Sequence, residues 1–216
     1  MSILTKKSAL ELDSPPRRRG RPQSKREDIV TAAVEVFLDR GYAATSISEV
    51  AKEAGVIKAT IYSHFKDKEQ LFTAIIEEIT VKKMQLDFDV MAKSLPDMSP
   101  RQFIEQMHKK FSMLEKDPQY LRLVRILIGE SARFPELPEL YLKVVLLKGM
   151  AFATKYFDVH PELNIKDSFA AGHVVGGSFW SLLVWQQILG GSKIRPLESK
   201  RVKNLLIDLF ESKLDS

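Results

Sequence analysis

The sequence predicts an all-α protein, and three observations carry that expectation. Apolar residues recur at three- and four-residue intervals along most of the 216-residue chain. No segment alternates apolar and polar residues convincingly enough to make a strand. Gly41, Gly55, Pro96 and Pro100 stand where the helical patterns stop. About nine helices are expected, with no internal repeat.

The first helix is expected from Ser24 to Arg40, where Ile29, Ala32, Ala33, Val36 and Phe37 keep helical spacing until Gly41. The second opens with Ser46 and Glu49 at capping-box spacing and places Ile47, Val50, Ala51 and Ala54 on one face. Gly55 ends it. After a turn of about three residues, Lys58 to Phe65 forms a third helix whose Ile61 and Phe65, four apart, point inward. Lys58, Ala59, Thr60, Tyr62, Ser63 and His64 are left facing out. A helix of this kind, crossed by its partner and presented N-terminus first, suits the DNA major groove.

A long helix is expected to begin at Lys68, with Leu71, Phe72, Ile75, Ile76 and Ile79 as its apolar stripe, and to continue toward Ser94. Further helices follow at about 101–115, 118–132, 137–157, 167–190 and 197–213.

Composition narrows the function classes. There is no cysteine, so disulfides, thiolate zinc sites and cysteine nucleophiles are excluded. The four histidines, at 64, 108, 160 and 173, show no metal-ligand spacing, and neither a metal nor another cofactor is expected. No GxSxG or P-loop motif supports an enzyme. The stretch Val174–Ser192 carries no formal charge, but its serines, glutamines and four glycines fit a buried helix better than a membrane span. The N-terminus has no uninterrupted apolar core ahead of its basic run, so a signal peptide is not expected and the chain should remain in the cytoplasm.

The net charge is +5, and Pro15 to Arg26 holds six basic residues and no acid. Residues 1–23 read as a flexible basic arm that seeks a polyanion. Within it, Arg18-Arg19-Gly20-Arg21-Pro22 resembles the core of an AT-hook, an extended segment that lies in the minor groove. A generic basic tail would add the same salt-dependent attraction to phosphates.

From Lys25 through Ile76 the chain resembles the DNA-binding domain of tetracycline-repressor-type (TetR/AcrR) regulators. The resemblance runs through Ala33-x-x-x-Phe37, Gly41-Tyr42-x-x-Thr45-Ser46 and Val50-Ala51-x-x-Ala54-Gly55-Val56, then Lys58-x-Thr60-Ile61-Tyr62-x-His64-Phe65-Lys66-x-Lys68-x-x-Leu71. It implies a homodimer on a palindromic double-stranded operator, and a small effector that changes the spacing of the two reading heads. Position by position, it implies base-edge or methyl contacts from Lys58, Ala59 and Thr60. Tyr62, His64 and Lys68 would grip phosphates, and Ser46 and Ser48 would touch the DNA backbone. Side-chain chemistry agrees, since Lys donates to guanine or phosphate and Thr and Ala meet a thymine methyl. Ile57 departs from the family, which often has a polar residue there; Ile cannot cap the third helix, unless its role is an apolar contact with a base.

The rest of the chain resembles the family in layout, with Gly129-Glu130-Ser131 through Phe134-Pro135-Glu136-Leu137 like one C-terminal subtype. Large apolar side chains suit a pocket for an apolar effector, and the candidates are Phe88, Met91, Phe103, Met107, Phe111, Phe134, Phe152 and Tyr156. Glu130 is the candidate to neutralise a cationic ligand. For dimerisation, Gly172 and Gly176 allow close backbone approach, Trp180 supplies apolar area, and Leu205 and Leu209 lie on the apolar face of the last helix.

The expected architecture is thus all-α, with a basic arm at 1–23, a three-helix helix-turn-helix DNA-binding domain at 24–84 (the motif at 46–65) and a larger ligand-binding and dimerisation domain at 85–216. The expected function is a ligand-responsive transcriptional repressor acting as a homodimer. The alternative is an architectural DNA-binding protein with no effector.

Overall fold

The computed structural model describes residues 24–83 and 85–214, so the Arg18, Arg19 and Arg21 arm lies outside the described residues. Eleven α-helices and no strand occur among the described residues. They are α1 (Lys25–Ala44), α2 (Ile47–Glu53), α3 (Lys58–His64), α4 (Lys68–Glu77), α5 (Phe88–Ala92), α6 (Pro100–Leu114), α7 (Pro118–Glu130), α8 (Glu136–Tyr141), α9 (Leu147–Asp158), α10 (Ser168–Leu182) and α11 (Ser199–Glu211). Wide π-helical turns extend α4 over Glu78–Lys82 and α10 over Leu183–Ile188, and join α8 to α9 over Leu142–Leu146.

Most helix starts are set by short polar side chains. Ser24 and Ser46 each form a reciprocal capping box, with Glu27 and Glu49 respectively. Asp67, Ser99, Asp117 and Asp167 cap α4, α6, α7 and α10 through their side-chain oxygens. The N-cap of α3 is Ile57, which offers no side-chain bond.

The long helix expected from Lys68 to Ser94 is corrected. It ends at Lys82, Gln85 takes a left-handed φ of 50°, and a separate short helix starts at Phe88, capped by Asp87. The apolar spacing persists through Leu86 and Phe88, so periodicity alone hides the break. The stretch 137–157 does run continuously, but through the π turn between α8 and α9.

The first domain packs α1 across α2, α3 and α4, burying Phe37, Val50, Ile61, Phe65, Leu71 and Phe72 almost completely. In the second, α10 lies along α9 and α11 along α6. The two domains meet where α1 touches α7 and α4 touches α8. Tyr42 is at the centre of that junction, its ring 5.8 Å from Phe37, 5.1 Å from Phe72 and 5.1 Å from Phe134.

Gly172, expected at a dimer interface, is used inside the protomer. A Cβ there would come within 3.0 Å of the Thr154 backbone nitrogen, so the missing side chain is what lets α10 settle onto α9.

Candidate nucleic-acid interface and a neighbouring cavity

Helix α3 faces inward through Ile61, leaving Lys58, Ala59, Tyr62, Ser63 and His64 exposed and Thr60 half-buried. Tyr62 keeps 53% of its surface, and Ile57, at the start of the helix, 71%. Ser48 is exposed on α2, whereas the Ser46 hydroxyl is engaged with Glu49, accepting its N–H at 3.3 Å and donating to its carboxylate at 2.9 Å. Arg26, the last residue of the basic run, has its guanidinium 5.0 Å from the ring of Phe65, just past the end of α3.

Lys68 is placed differently from the expectation of a phosphate contact. Its ammonium donates to the Tyr42 carbonyl and lies 4.2 Å from the centroid of the Tyr42 ring. Burial holds its pKa below the ordinary lysine range, with Glu130 and Glu49 opposing that shift. The Tyr42 phenol is pushed up to about 12, mainly by burial, so it stays neutral.

Glu130, expected beside a ligand, is at the end of α7 and reaches the first domain instead. The Tyr42 N–H donates to its Oε1 and the Ala43 N–H to its Oε2, both at 2.8 Å. Gly41, just before, has φ 82° and ψ 172°, and this non-helical residue turns the two amides toward the carboxylate. Thr45 closes the corner by donating its hydroxyl to the Gly41 carbonyl at 2.7 Å. The next residue is Ser46, the cap of α2. One carboxylate of the second domain therefore holds the segment that enters the helix-turn-helix.

The same helix α7 lines an apolar cavity of about 250 Å³. Phe88, Met91, Met107 and Phe111 line it, as do Tyr120, Tyr141, Met150, Phe179 and Trp180. The other pocket candidates are elsewhere. Phe103 and Tyr156 stack in the core with centroids 3.9 Å apart and planes 2° from parallel, and Phe152 packs beside Phe103. Phe134 covers Tyr42. Gly176 and Trp180, expected at the dimer interface, line the cavity, while Leu205 and Leu209 are exposed on α11. The tyrosine pair carried no sequence signal, because Tyr120 and Tyr141 are brought together from different helices.

Among the described residues, no cluster of His, Asp or Glu is arranged to hold a metal ion, and no helix is long and apolar enough to cross a membrane.

Residues 29–75 match the family described as bacterial regulatory proteins, tetR family. Residues 102–212 match the AefR-like transcriptional repressor C-terminal domain. The chain is 40% identical over 68 residues to the HTH-type transcriptional regulator AcrR of Shigella flexneri, a stretch covering 31% of this chain and 32% of that protein. It is 24% identical over 187 residues to the regulator SrpR of Pseudomonas putida, covering 73% and 84%. The first curated relatives are thus matched over about a third of their length or less. Among solved structures, FadR of Bacillus subtilis in complex with stearoyl-CoA aligns with a TM-score of 0.62 at 23% identity, covering 86% of this chain and 97% of that one. SmeT, repressor of the Stenotrophomonas maltophilia efflux pump SmeDEF, aligns with a TM-score of 0.61 at 20% identity, over 88% and 90%. At these identities the solved structures share the fold.

Proposed function

The chain belongs to the TetR family of DNA-binding transcriptional regulators, and from that premise we propose that it is a repressor, acting in the cytoplasm, which grips a palindromic operator as a homodimer and lets go when a small apolar effector fills its cavity. The observation that carries this reading is the position of α7, which lines the cavity through Tyr120 and holds the Tyr42–Ala43 amides through Glu130. A ligand that displaces α7 acts directly on the segment entering the reading head. An effector needs differential affinity for two such arrangements, and a wall shared with a hinge supplies it. An architectural protein would have no use for that cavity.

In this reading Lys58, Ala59 and Thr60 touch base edges, while Tyr62, His64 and Ser48 touch the backbone. Arg18, Arg19 and Arg21 add salt-dependent attraction. Exposed apolar side chains on the π turn after α10 and on α11, Trp185, Leu205 and Leu209 among them, favour a twofold four-helix interface that sets the reading heads about 34 Å apart or a multiple of it.

Selection of random-sequence DNA by the purified protein at near-physiological salt tests this, and an enriched palindrome is the expected result. Binding that is unenriched and vanishes with added salt would favour the architectural alternative. On the selected operator, Tyr62→Ala is expected to weaken all sequences alike, and Thr60→Ala to cost about 1–3 kcal/mol of discrimination at one base position. Equal losses across all sequences for both variants would undo the assigned roles.

A further inference from the structure

We propose that the cavity selects an uncharged, largely apolar molecule carrying a hydrogen-bond acceptor, and that the acceptor is met by the paired hydroxyls of Tyr120 and Tyr141. This inference rests on the reading of the cavity as the effector site. The two tyrosines come from α7 and α8, both line the cavity, and their oxygens are 2.5 Å apart. Two phenols bring two protons, and one suffices for the bond between them. Neither hydroxyl makes another hydrogen bond among the described residues. The pair therefore holds one uncommitted proton, on two residues that line a largely apolar cavity. Burial keeps both phenols protonated, since it raises both above the ordinary tyrosine range. A buried donor without an acceptor is unfavourable, so a ligand that supplies one gains over a hydrocarbon of the same shape.

The wall also selects on charge. No aspartate or glutamate lines the cavity, so a cation entering it finds no counter-ion. Glu130, the carboxylate that sequence alone assigned to this task, is committed to the Tyr42 and Ala43 amides. The charged or titratable lining residues besides the tyrosines are Lys110 and His173, one half-buried and the other exposed, and the rest of the wall is apolar, where burying an anion costs more than burying an ester. The acceptor site also touches α7 ten residues before Glu130, on the helix that holds the hinge.

Calorimetry with four probes of similar chain length tests the inference: methyl octanoate, nonane, octanoate and octyltrimethylammonium. They are titrated into the wild-type protein, the single variants Tyr120→Phe and Tyr141→Phe, and the double variant. Removing both hydroxyls keeps the shape and leaves no orphaned partner, so the double variant is expected to fold, and each single variant provides an independent measurement. Methyl octanoate should bind the wild type and both single variants, because one hydroxyl still has a proton to give. Its affinity should fall about three- to tenfold in the double variant while that of nonane is unchanged. The cation, with aromatic faces but no carboxylate to meet it, should bind more weakly than the ester. Ester binding that ignores the double substitution, or tighter binding of octanoate or of the cation, overturns the tyrosine subsite and leaves the effector cavity standing. If no probe binds and none alters operator affinity, both the subsite and the effector reading fall.

Discussion

Gly41→Ala is expected to lower folding stability by about 3 kcal/mol or more, with a matching loss of cooperativity between the two domains. Two effects combine. The backbone at φ 82°, ψ 172° is one that side chains avoid, a strain of about 1–3 kcal/mol. A Cβ there would also stand 2.6 Å from Glu130 Oε1, so the carboxylate must move and its two hydrogen bonds are lost with it. Hydrogen bonds to charged groups contribute about 1.5–3 kcal/mol each. Glu130→Ala removes the same bonds without the strain, and the double variant should be clearly less destabilised than the sum of the singles. Urea denaturation of the four proteins measures this; simple additivity would show that Gly41 and Glu130 do not act as one unit.

The second large effect concerns the exposed face of the second domain. Leu205 and Leu209 keep 58% and 53% of their surface on α11, and Trp185 keeps 63% just beyond α10. Patches of this kind mark interaction sites. Leu205→Glu combined with Leu209→Glu should turn a dimer into a monomer in sedimentation velocity and weaken binding to a full palindrome by about a hundredfold or more, while a half-site is still contacted weakly. Both substitutions lie on a solvent-facing side, so the protomer itself should keep its helix content. A variant that still sediments as a dimer would place the interface elsewhere.

Local signals were the legible part of this molecule. The Ser46–Glu49 box, the inward pair Ile61 and Phe65, and the glycine break after Arg40 depend on residues a few positions apart. What stayed hidden depends on distance along the chain. Glu130 finds its partners 88 and 87 residues away, and nothing in its neighbourhood announces them. Gly172 reads as a close-approach residue, which it is, but helical periodicity does not say whether the neighbour belongs to the same chain or to another. Phe103, Phe152 and Tyr156 have the same composition signal as the residues that line the cavity, and only packing separates the two sets.

Tyr42 is held from every side: its N–H by a carboxylate, its carbonyl by an ammonium, its ring by Phe37, Phe72 and Phe134. Its amide proton, one residue past a helix break, should therefore exchange with deuterated solvent as slowly as those of the core. If an effector loosens the Glu130 contact, that proton and its neighbour at Ala43 should become fast while the interior of α1 does not change. Two labelled amides would then show whether a candidate compound disturbs the hinge, with no operator in hand and no knowledge of the genes it governs.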